Sequence, residues 1–165
     1  MPKSCFFSST LLVVGGAGFV GSNLVLKLLD EAPKKIIIVD NLLSSDISNV
    51  VDDPRVDFLY GSITDDSTLN ALPRDIEYVW HLSCYHGNQS SIVNPLEDHE
   101  NNTFTTLKLF ETLKDFPNLK KVTYAAAGCA VAEKTFGEAK ATSEDAPVSL
   151  YHDSPYSISK IIGEL

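Results

Sequence analysis

The sequence predicts an α/β fold, namely a parallel sheet in the strand order 3-2-1-4-5 with helices on both faces. Short apolar runs alternate along the chain with segments of helical periodicity, as in repeated βαβ units. The first run, residues 11–14, passes through glycines into an amphipathic segment. The second run, residues 35–39, ends in the carboxylate of Asp40. We expect one domain over residues 1–165.

The glycine turn carries the first functional signal. Gly16, Gly18 and Gly21 fit the pattern G-x-G-x-x-G, and Gly15, Gly18 and Gly21 fit G-x-x-G-x-x-G. Free backbone N–H groups and the positive end of a helix dipole meet at such a turn, so a pyrophosphate can bind there. We expect Gly15 to permit the sharp turn, Gly18 the approach of the phosphates, and Gly21 close packing of helix on strand. A glycine-rich turn without a ligand is the alternative.

The end of the second strand favours the ligand-binding interpretation. Asp40 follows Gly21 by 19 residues, a spacing at which a carboxylate can accept hydrogen bonds from an adenosine ribose. Its charge would also repel the 2′-phosphate of NADP, and residues 41–45 contain no Arg or Lys to hold one. The sequence therefore predicts a site for NAD rather than for NADP.

The remaining elements follow the same alternation. Three further strands are expected at residues 55–60, 77–82 and 121–125. Helices are expected at residues 67–72, at residues 102–116 and after Ser154, where Pro155 suits a first helical turn. Polar loops are expected at residues 44–54, 83–101 and 133–150, the first with a helical turn. His81 ends a strand and is expected to be a core residue.

Composition narrows the class of protein. The hydrophobic fraction of 44% and the charged fraction of 21% are ordinary for a soluble globular domain. The formal net charge of −9 argues against binding of nucleic acid or of an anionic membrane. Three cysteines without C-x-x-C spacing predict neither disulfides nor a zinc site, and they fit the cytoplasm. No apolar run approaches the ~18 residues of a membrane span, and the scattered histidines predict no metal site.

The last predicted helix carries two reactive side chains on one face. Tyr156 and Lys160 stand at positions i and i+4. An ammonium group stabilises a nearby phenolate, and a phenolate beside a nicotinamide ring can remove a hydroxyl proton while hydride leaves for the cofactor. An exposed, functionless pair is the alternative, and the glycine turn and Asp40 in the same chain favour the catalytic interpretation.

These motifs together resemble the extended short-chain dehydrogenase/reductase family, in particular its NAD-dependent nucleotide-sugar epimerases and dehydratases. The matching segments run in order along the chain at residues 15–21, 39–42, 61–65 and 80–83, at Asn102, and at Tyr156 with Lys160. The resemblance implies a Rossmann-type NAD-binding domain over residues 1–165, with its sheet truncated before the last strands. Because enzymes of this family are about twice as long, it also implies that the substrate domain is absent from this chain.

The resemblance assigns roles to particular residues. It implies that the pyrophosphate of the cofactor is bound by Gly15, Gly18, Phe19, Val20 and Gly21. Around the adenosine it implies Asp40, Asn41 and Leu42 at the ribose, and Ser62 and Ile63 beside the adenine. Along the rest of the cofactor it implies Leu82, Ser83 and Cys84, with Lys160 between the nicotinamide ribose and Tyr156. It also implies that His86 and Ala127 lie on the substrate side of the nicotinamide.

Two positions depart from the pattern of the family. Relatives usually carry Asp where this chain has Ser62, so the adenine amino group loses a carboxylate partner, although Ser62 could still accept a hydrogen bond. Relatives also carry Ser or Thr after the fifth strand, where ungapped alignment places Ala127. Cys129 is a weak substitute for that hydroxyl, and loss of one such donor costs ~10²-fold or more in rate.

The resemblance implies 4-epimerisation of a nucleotide sugar through a transient 4-keto intermediate, with NAD regenerated in each turnover. A 4,6-dehydratase is an alternative, but it needs an acid–carboxylate pair after the fifth strand, where this chain has Ala126, Ala127 and Gly128. A net oxidoreductase is another. A catalytically silent NAD-binding module is the alternative from a different class. We expect the intact enzyme to be a cytoplasmic homodimer, and this chain alone to be inactive.

Overall fold

Five parallel strands form the sheet, in a computed structural model that describes residues 4–85, 87–128, 143, 145 and 152–165. The strands are β1 (Thr10–Val14), β2 (Lys35–Asp40), β3 (Val56–Tyr60), β4 (Ile76–His81) and β5 (Lys121–Tyr124). Each pairing is parallel, and the order is β3-β2-β1-β4-β5. The predicted fold class and strand order are therefore confirmed.

The helices lie between and after these strands. They are α1 (Phe19–Asp30), α2 (Asp66–Asn70), α3 (Asn88–Val93), α4 (Pro95–Asp98), α5 (Thr105–Leu113) and α6 (Pro155–Ile162). A 3-10 turn covers Ile47–Asn49, and a π-helical segment, His99–Phe104, ends where α5 begins. In the described part of the chain, no helix is long and apolar enough to cross a membrane.

Two apolar clusters cover the two faces of the sheet. Successive strand side chains point to opposite faces, so Leu11 and Val13 of β1 belong to one cluster while Leu12 and Val14 belong to the other. The first cluster contains Val25 and Leu28 of α1, with Ile36 and Ile38 of β2. The second contains Leu69 of α2 and Leu109 and Leu113 of α5, with Ile37 and Val39 of β2. Helices therefore cover both faces.

The chain forms two compact units. The first, Met1–Cys84 with Thr105–Ala125, contains the sheet, α1, α2 and α5. The second, Tyr85–Phe104 with Ala126–Leu165, contains α3, α4, the π-helical segment and α6. Within the second unit, α6 packs against α3, α4 and the π-helical segment.

The long polar loop predicted up to Asn101 is wrong, because the chain is already helical from Asn88. Helical periodicity fails to mark α3 and α4 because their buried residues are the polar Ser91 and Asp98. Pro95 further divides the segment by starting a new helix. Apolar periodicity cannot reveal a helix whose buried face is polar.

The basic residues ahead of the strands are paired with carboxylates. Lys34 Nζ lies 2.7 Å from Asp75 Oδ2, and Lys120 forms an ion pair with Glu77. The hydrogen bond from Lys34 lowers the pKa of Asp75, and the bond from Lys120 lowers the pKa of Glu77. These lysines therefore belong to mixed-charge pairs rather than to a basic patch for a phosphate backbone.

Candidate active site

The glycine turn begins between the carboxyl ends of β2 and β4. Gly15 has φ +81°, and its N–H donates to the carbonyl oxygen of Val39 at 2.8 Å. A Cβ atom at Gly15 would lie 2.7 Å from Ser83 N and 2.9 Å from Ser83 Cα. Both the backbone angle and the lack of space therefore require glycine here. The geometry also brings the turn against Ser83, which the sequence assigned to the same site.

Gly21 allows α1 to lie close to this turn. A Cβ atom at Gly21 would lie 2.2 Å from the carbonyl oxygen of Gly15 and 2.6 Å from Gly16 Cα. At Gly18 a Cβ would be 3.3 Å from the same carbonyl oxygen. The helix can approach the turn only if position 21 has no side chain.

We expect Gly21→Ala to lower the free energy of unfolding of the first unit by about 2–3 kcal/mol, because the groups it would strike are backbone atoms. Gly18→Ala is the matched control in the same turn and should cost at most about 1 kcal/mol. Urea unfolding followed by the fluorescence of Trp80, the only tryptophan in the sequence, measures both variants. Equal stabilities of the two variants would contradict this packing role.

The first turn of α1 is accessible. Gly18 is its N-cap and has no side chain to cap the helix, and no acidic residue stands in the first turn. The side chains of Phe19 and Val20 are 85% and 62% exposed. The buried residues of α1 are instead Gly21, Val25 and Leu28. An uncapped helix N-terminus is suited to an anion.

Asp40 connects the end of β2 with the glycine turn. Its Oδ2 accepts the N–H of Ala17 at 3.0 Å. Its Oδ1 accepts the N–H of Leu42 at 2.9 Å and the hydroxyl of Ser45 at 2.8 Å. A carboxylate oxygen has two lone pairs, so Oδ2 retains the capacity to accept a ligand hydroxyl. The carboxylate is thus oriented by its neighbours before any ligand binds.

The residues after Asp40 form a tight turn. Leu42 has φ +57°, a left-handed conformation that costs a non-glycine residue roughly 1–2 kcal/mol. Its N–H bond to Asp40 and the bond from Leu43 N to Asn41 Oδ1 at 3.1 Å hold this turn. Asn49 Nδ2 donates to the carbonyl oxygen of Ala17 at 2.9 Å and ties the following 3-10 turn to the glycine turn.

Ser62 follows β3 beside Asp40. The N–H of Gly61 donates to the carbonyl oxygen of Asp40 at 3.1 Å. The Ser62 hydroxyl oxygen accepts two hydrogen bonds from Thr64, which differs from the acceptor role expected for it towards adenine. The side chain of Ile63 is 3% exposed and belongs to the core, so only its main chain is available to a ligand.

The end of β4 is held by a buried histidine. His81 Nε2 lies 2.9 Å from Thr106 Oγ1, and its Nδ1 lies 3.2 Å from Ser83 Oγ. His81 is thus a core residue with a partner at each ring nitrogen, as expected. Leu82 N donates to the carbonyl oxygen of Val14 at 2.9 Å, and Cys84 is exposed. Ser83 therefore has an oriented side chain next to the glycine turn.

In the second unit, α6 places Tyr156 and Lys160 on one face. Ser154 caps the helix by accepting the N–H of Ser157 at 3.2 Å, and Pro155 stands in the first turn. Lys160 is only 2% exposed, and its Nζ lies 6.0 Å from the centre of the Tyr156 ring. The pair is therefore not an exposed one. In general, an ammonium group close to a tyrosine oxygen favours the phenolate over the phenol.

A buried amide in the same unit has a role that the sequence did not reveal. Asn102 Oδ1 accepts the N–H of Tyr85 at 2.8 Å, and its Nδ2 donates to the carbonyl oxygen of Tyr85 at 3.0 Å and to Asp98 Oδ1 at 2.9 Å. The spacing of Asp98 and Asn102 at i and i+4 was the available signal. A hydrogen bond with Glu97 raises the pKa of the neighbouring Tyr85 to about 12.

The structure describes only one of the two residues predicted on the substrate side. Ala127 is half-buried and offers no hydroxyl, whereas His86 and Cys129 lie outside the described residues. Among the residues that the structure describes, no three His, Cys, Asp or Glu side chains are grouped as in a metal site.

Comparison with known proteins places these features in a family. The family model described as "NAD dependent epimerase/dehydratase family" matches residues 11–165. A UDP-glucose 4-epimerase from Lacticaseibacillus casei is 29% identical over 155 residues, which are 93% of this chain and 46% of that protein. The chain spans about half the length of the curated relatives it matches.

Solved structures with the same fold include NAD complexes. The Bordetella bronchiseptica enzyme WbmF in complex with NAD+ is 54% identical, with a TM-score of 0.83 over 98% of this chain and 45% of that one. WbmF has also been solved with NAD+ and UDP. The epimerase Mth375 from Methanothermobacter thermautotrophicus is 32% identical, with a TM-score of 0.86 over 96% of this chain and 46% of that one.

Proposed function

Since this chain belongs to the NAD-dependent epimerase/dehydratase family, we propose that the whole protein is an NAD-dependent nucleotide-sugar 4-epimerase. The observation that carries the proposal is the pairing of Tyr156 with the buried Lys160 on one face of α6. Members of this family named above act on UDP-glucose or hold NAD+ with UDP. A UDP-sugar is therefore the proposed substrate.

The residues of the first unit fit NAD. The pyrophosphate is assigned to the turn and the uncapped helix start, at Gly15, Gly18, Phe19, Val20 and Gly21. The adenosine is assigned to Asp40, Asn41 and Leu42 at its ribose and to Ser62 and the main chain of Ile63 at its base. The remaining contacts are assigned to Leu82, Ser83 and Cys84. The proposal is supported by the close backbone packing that Gly15 and Gly21 permit in this turn and by the free acceptor capacity of Asp40.

Bound NAD would supply the hydride chemistry of the proposed reaction, by which C4 of the sugar is oxidised and then reduced from its other face. The phenolate of Tyr156 removes the proton of the 4-hydroxyl and later returns it to the reduced sugar. Lys160 stabilises that phenolate and holds the nicotinamide ribose. Ala127 supplies no hydrogen bond to the sugar, so orientation of the 4-oxygen falls to Tyr156 and to groups elsewhere in the protein.

The residues after β5 argue against a dehydratase. Elimination of water requires a carboxylic acid and a carboxylate at that place, whereas the chain has Ala126, Ala127 and Gly128. Ala127 also leaves open a second candidate, an NAD-binding module without catalysis. Incubation of the whole protein with UDP-glucose and NAD separates the possibilities, because an epimerase forms UDP-galactose. Accumulation of a 4-keto-6-deoxy sugar would indicate a dehydratase, and a 4-keto sugar that keeps its 6-hydroxyl would indicate a net oxidoreductase. NAD binding without turnover of any UDP-sugar would indicate the silent module.

Cys84 provides a direct test of where NAD binds. At an NAD concentration ten times Kd, we expect alkylation of Cys84 to slow about tenfold, because only the unliganded fraction reacts. Cys5, also an exposed cysteine, should react at an unchanged rate and serves as the internal control. Mass spectrometry of the peptides reports both sites. Equal rates at Cys84 with and without NAD would remove it from the site.

We also propose that the whole protein is a cytoplasmic homodimer. Cys5 and Cys84 are exposed cysteines outside disulfides, as is typical of a reducing compartment. Exposed apolar side chains in the second unit support a further protein contact, with Leu96 and Phe104 before α5 and Ile158 on α6.

A further inference from the structure

Ser62 and Thr64 form a small hydrogen-bonded turn after β3. The N–H of Thr64 donates to Ser62 Oγ at 3.2 Å, and the hydroxyl of Thr64 donates to the same oxygen at 2.7 Å. A serine hydroxyl has two acceptor lone pairs and one hydrogen to donate. Both lone pairs are therefore occupied by Thr64, and Ser62 can offer a ligand only its hydrogen.

The position of Thr64 is fixed from both sides of the turn. The N–H of Asp65 donates to the carbonyl oxygen of Ser62 at 3.0 Å and closes the turn. Lys108 of α5 donates to the carbonyl oxygen of Thr64, and its Nζ lies 2.7 Å from Asp66 Oδ1. The ammonium thus holds the Thr64 backbone, so the two bonds to Ser62 belong to a constrained turn.

This turn lies where the base of an adenosine bound at Asp40 would reach. Tyr60 pairs with Asp40 in the ladder between β2 and β3, and Gly61 N donates to the carbonyl oxygen of Asp40. Neighbouring strands are ~4.8 Å apart, which is within the length of an adenine ring. If Asp40 holds the ribose, the base extends from β2 towards Ser62. This step rests on the NAD site proposed above.

We propose that Ser62 can offer the adenine only a donated hydrogen bond, to an acceptor nitrogen of the ring, and that the chain does not recognise the 6-amino group through this side chain. The amino group of adenine is a donor, and Ser62 has no lone pair left to accept from it. A carboxylate at this position would accept from the amino group instead. The 6-amino group should therefore contribute little to the affinity of this chain for its cofactor.

The test compares NAD with its analogue in which purine replaces adenine, so that hydrogen replaces only the amino group. Isothermal titration of the chain should give Kd values for the two within about threefold. Ser62→Asp restores a charged acceptor and should favour NAD by about tenfold or more. A preference for NAD of tenfold or more in the unsubstituted chain would overturn the inference and leave the proposed function intact.

A second pair of variants tests the role of Thr64 itself. Thr64→Val removes the hydroxyl donor and frees one lone pair of Ser62, so the preference for NAD should rise about fivefold. Thr64→Ser keeps the donor and is the matched control, with an unchanged ratio. An unchanged ratio in Thr64→Val would also overturn the inference. Failure of the folded, unsubstituted chain to bind either dinucleotide would overturn the proposed function together with it.

Discussion

Replacing Tyr156 with Phe should lower kcat of the whole protein about 10³-fold, the typical contribution of a positioned proton-transfer group. Phe retains the ring that lies beside Lys160, with Nζ 6.0 Å from its centre, but it cannot accept the proton of the sugar hydroxyl. The affinity for NAD should stay within about threefold, because transition-state stabilisation is lost and ground-state binding is kept. Steady-state kinetics and calorimetry together separate the two quantities.

Tyr78→Phe is the matched control for this substitution. Tyr78 is in β4 of the first unit, and its ring packs edge-on against Phe6 with the ring centres 5.1 Å apart. Phe preserves that contact, so kcat should remain within about twofold of the unsubstituted protein. If Tyr156→Phe retained more than a tenth of the activity, the proton would have to go to another group.

Asp40→Asn should raise the Kd for NAD by roughly 10- to 100-fold, as expected for loss of a hydrogen bond to a charged acceptor. Both oxygens of Asp40 accept N–H or O–H groups, from Ala17 on one side and from Leu42 and Ser45 on the other. The NH2 group of an asparagine would therefore face a donor in either orientation. Discrimination against NADP should also weaken, because the repulsion of the 2′-phosphate is removed. Calorimetric titration with both cofactors measures these effects.

Asp57→Asn makes the same change of charge in the neighbouring strand. Asp57 forms an exposed ion pair with Lys35 at 2.7 Å, which contributes at most about 1 kcal/mol to stability. The affinity of the Asp57→Asn variant for NAD should match that of the unsubstituted chain. An Asp40→Asn variant that is folded and binds both cofactors as before would show that the ribose lies elsewhere.

The sequence predicted the sheet well because its signals are local. The first strand was expected at residues 11–14 and runs Thr10–Val14, since an apolar β-branched run bounded by glycine admits few alternatives. The start of α6 could be predicted equally well, because a capping Ser154 followed by Pro155 is a local signal. The same applies to Gly15, whose conformation is set by the turn in which it lies.

Other features depend on partners distant in the chain or on polar burial. Asn102 was visible as a motif residue, but its two bonds to Tyr85 span 17 positions and leave no periodic trace. Helices α3 and α4 were not predicted because their buried residues are polar and give no apolar periodicity. The hydrogen bonds of Ser62 come from a residue only two positions away, yet a Ser-x-Thr pattern does not say which hydroxyl donates.

The strand order also governs how the chain can fold during synthesis. The central strand β1 pairs with β2, whose first partner is Lys35, and with β4, whose first partner is Ile76. One edge of β1 thus gains its neighbour early in synthesis. The other edge stays unpaired until β4 is made, which begins about 66 residues after Thr10. At a translation rate of ~5–20 residues per second, that interval is roughly 3–13 s. An apolar strand with an open edge is exposed to mispairing for that time, so a nascent chain of this topology has a reason to engage a chaperone.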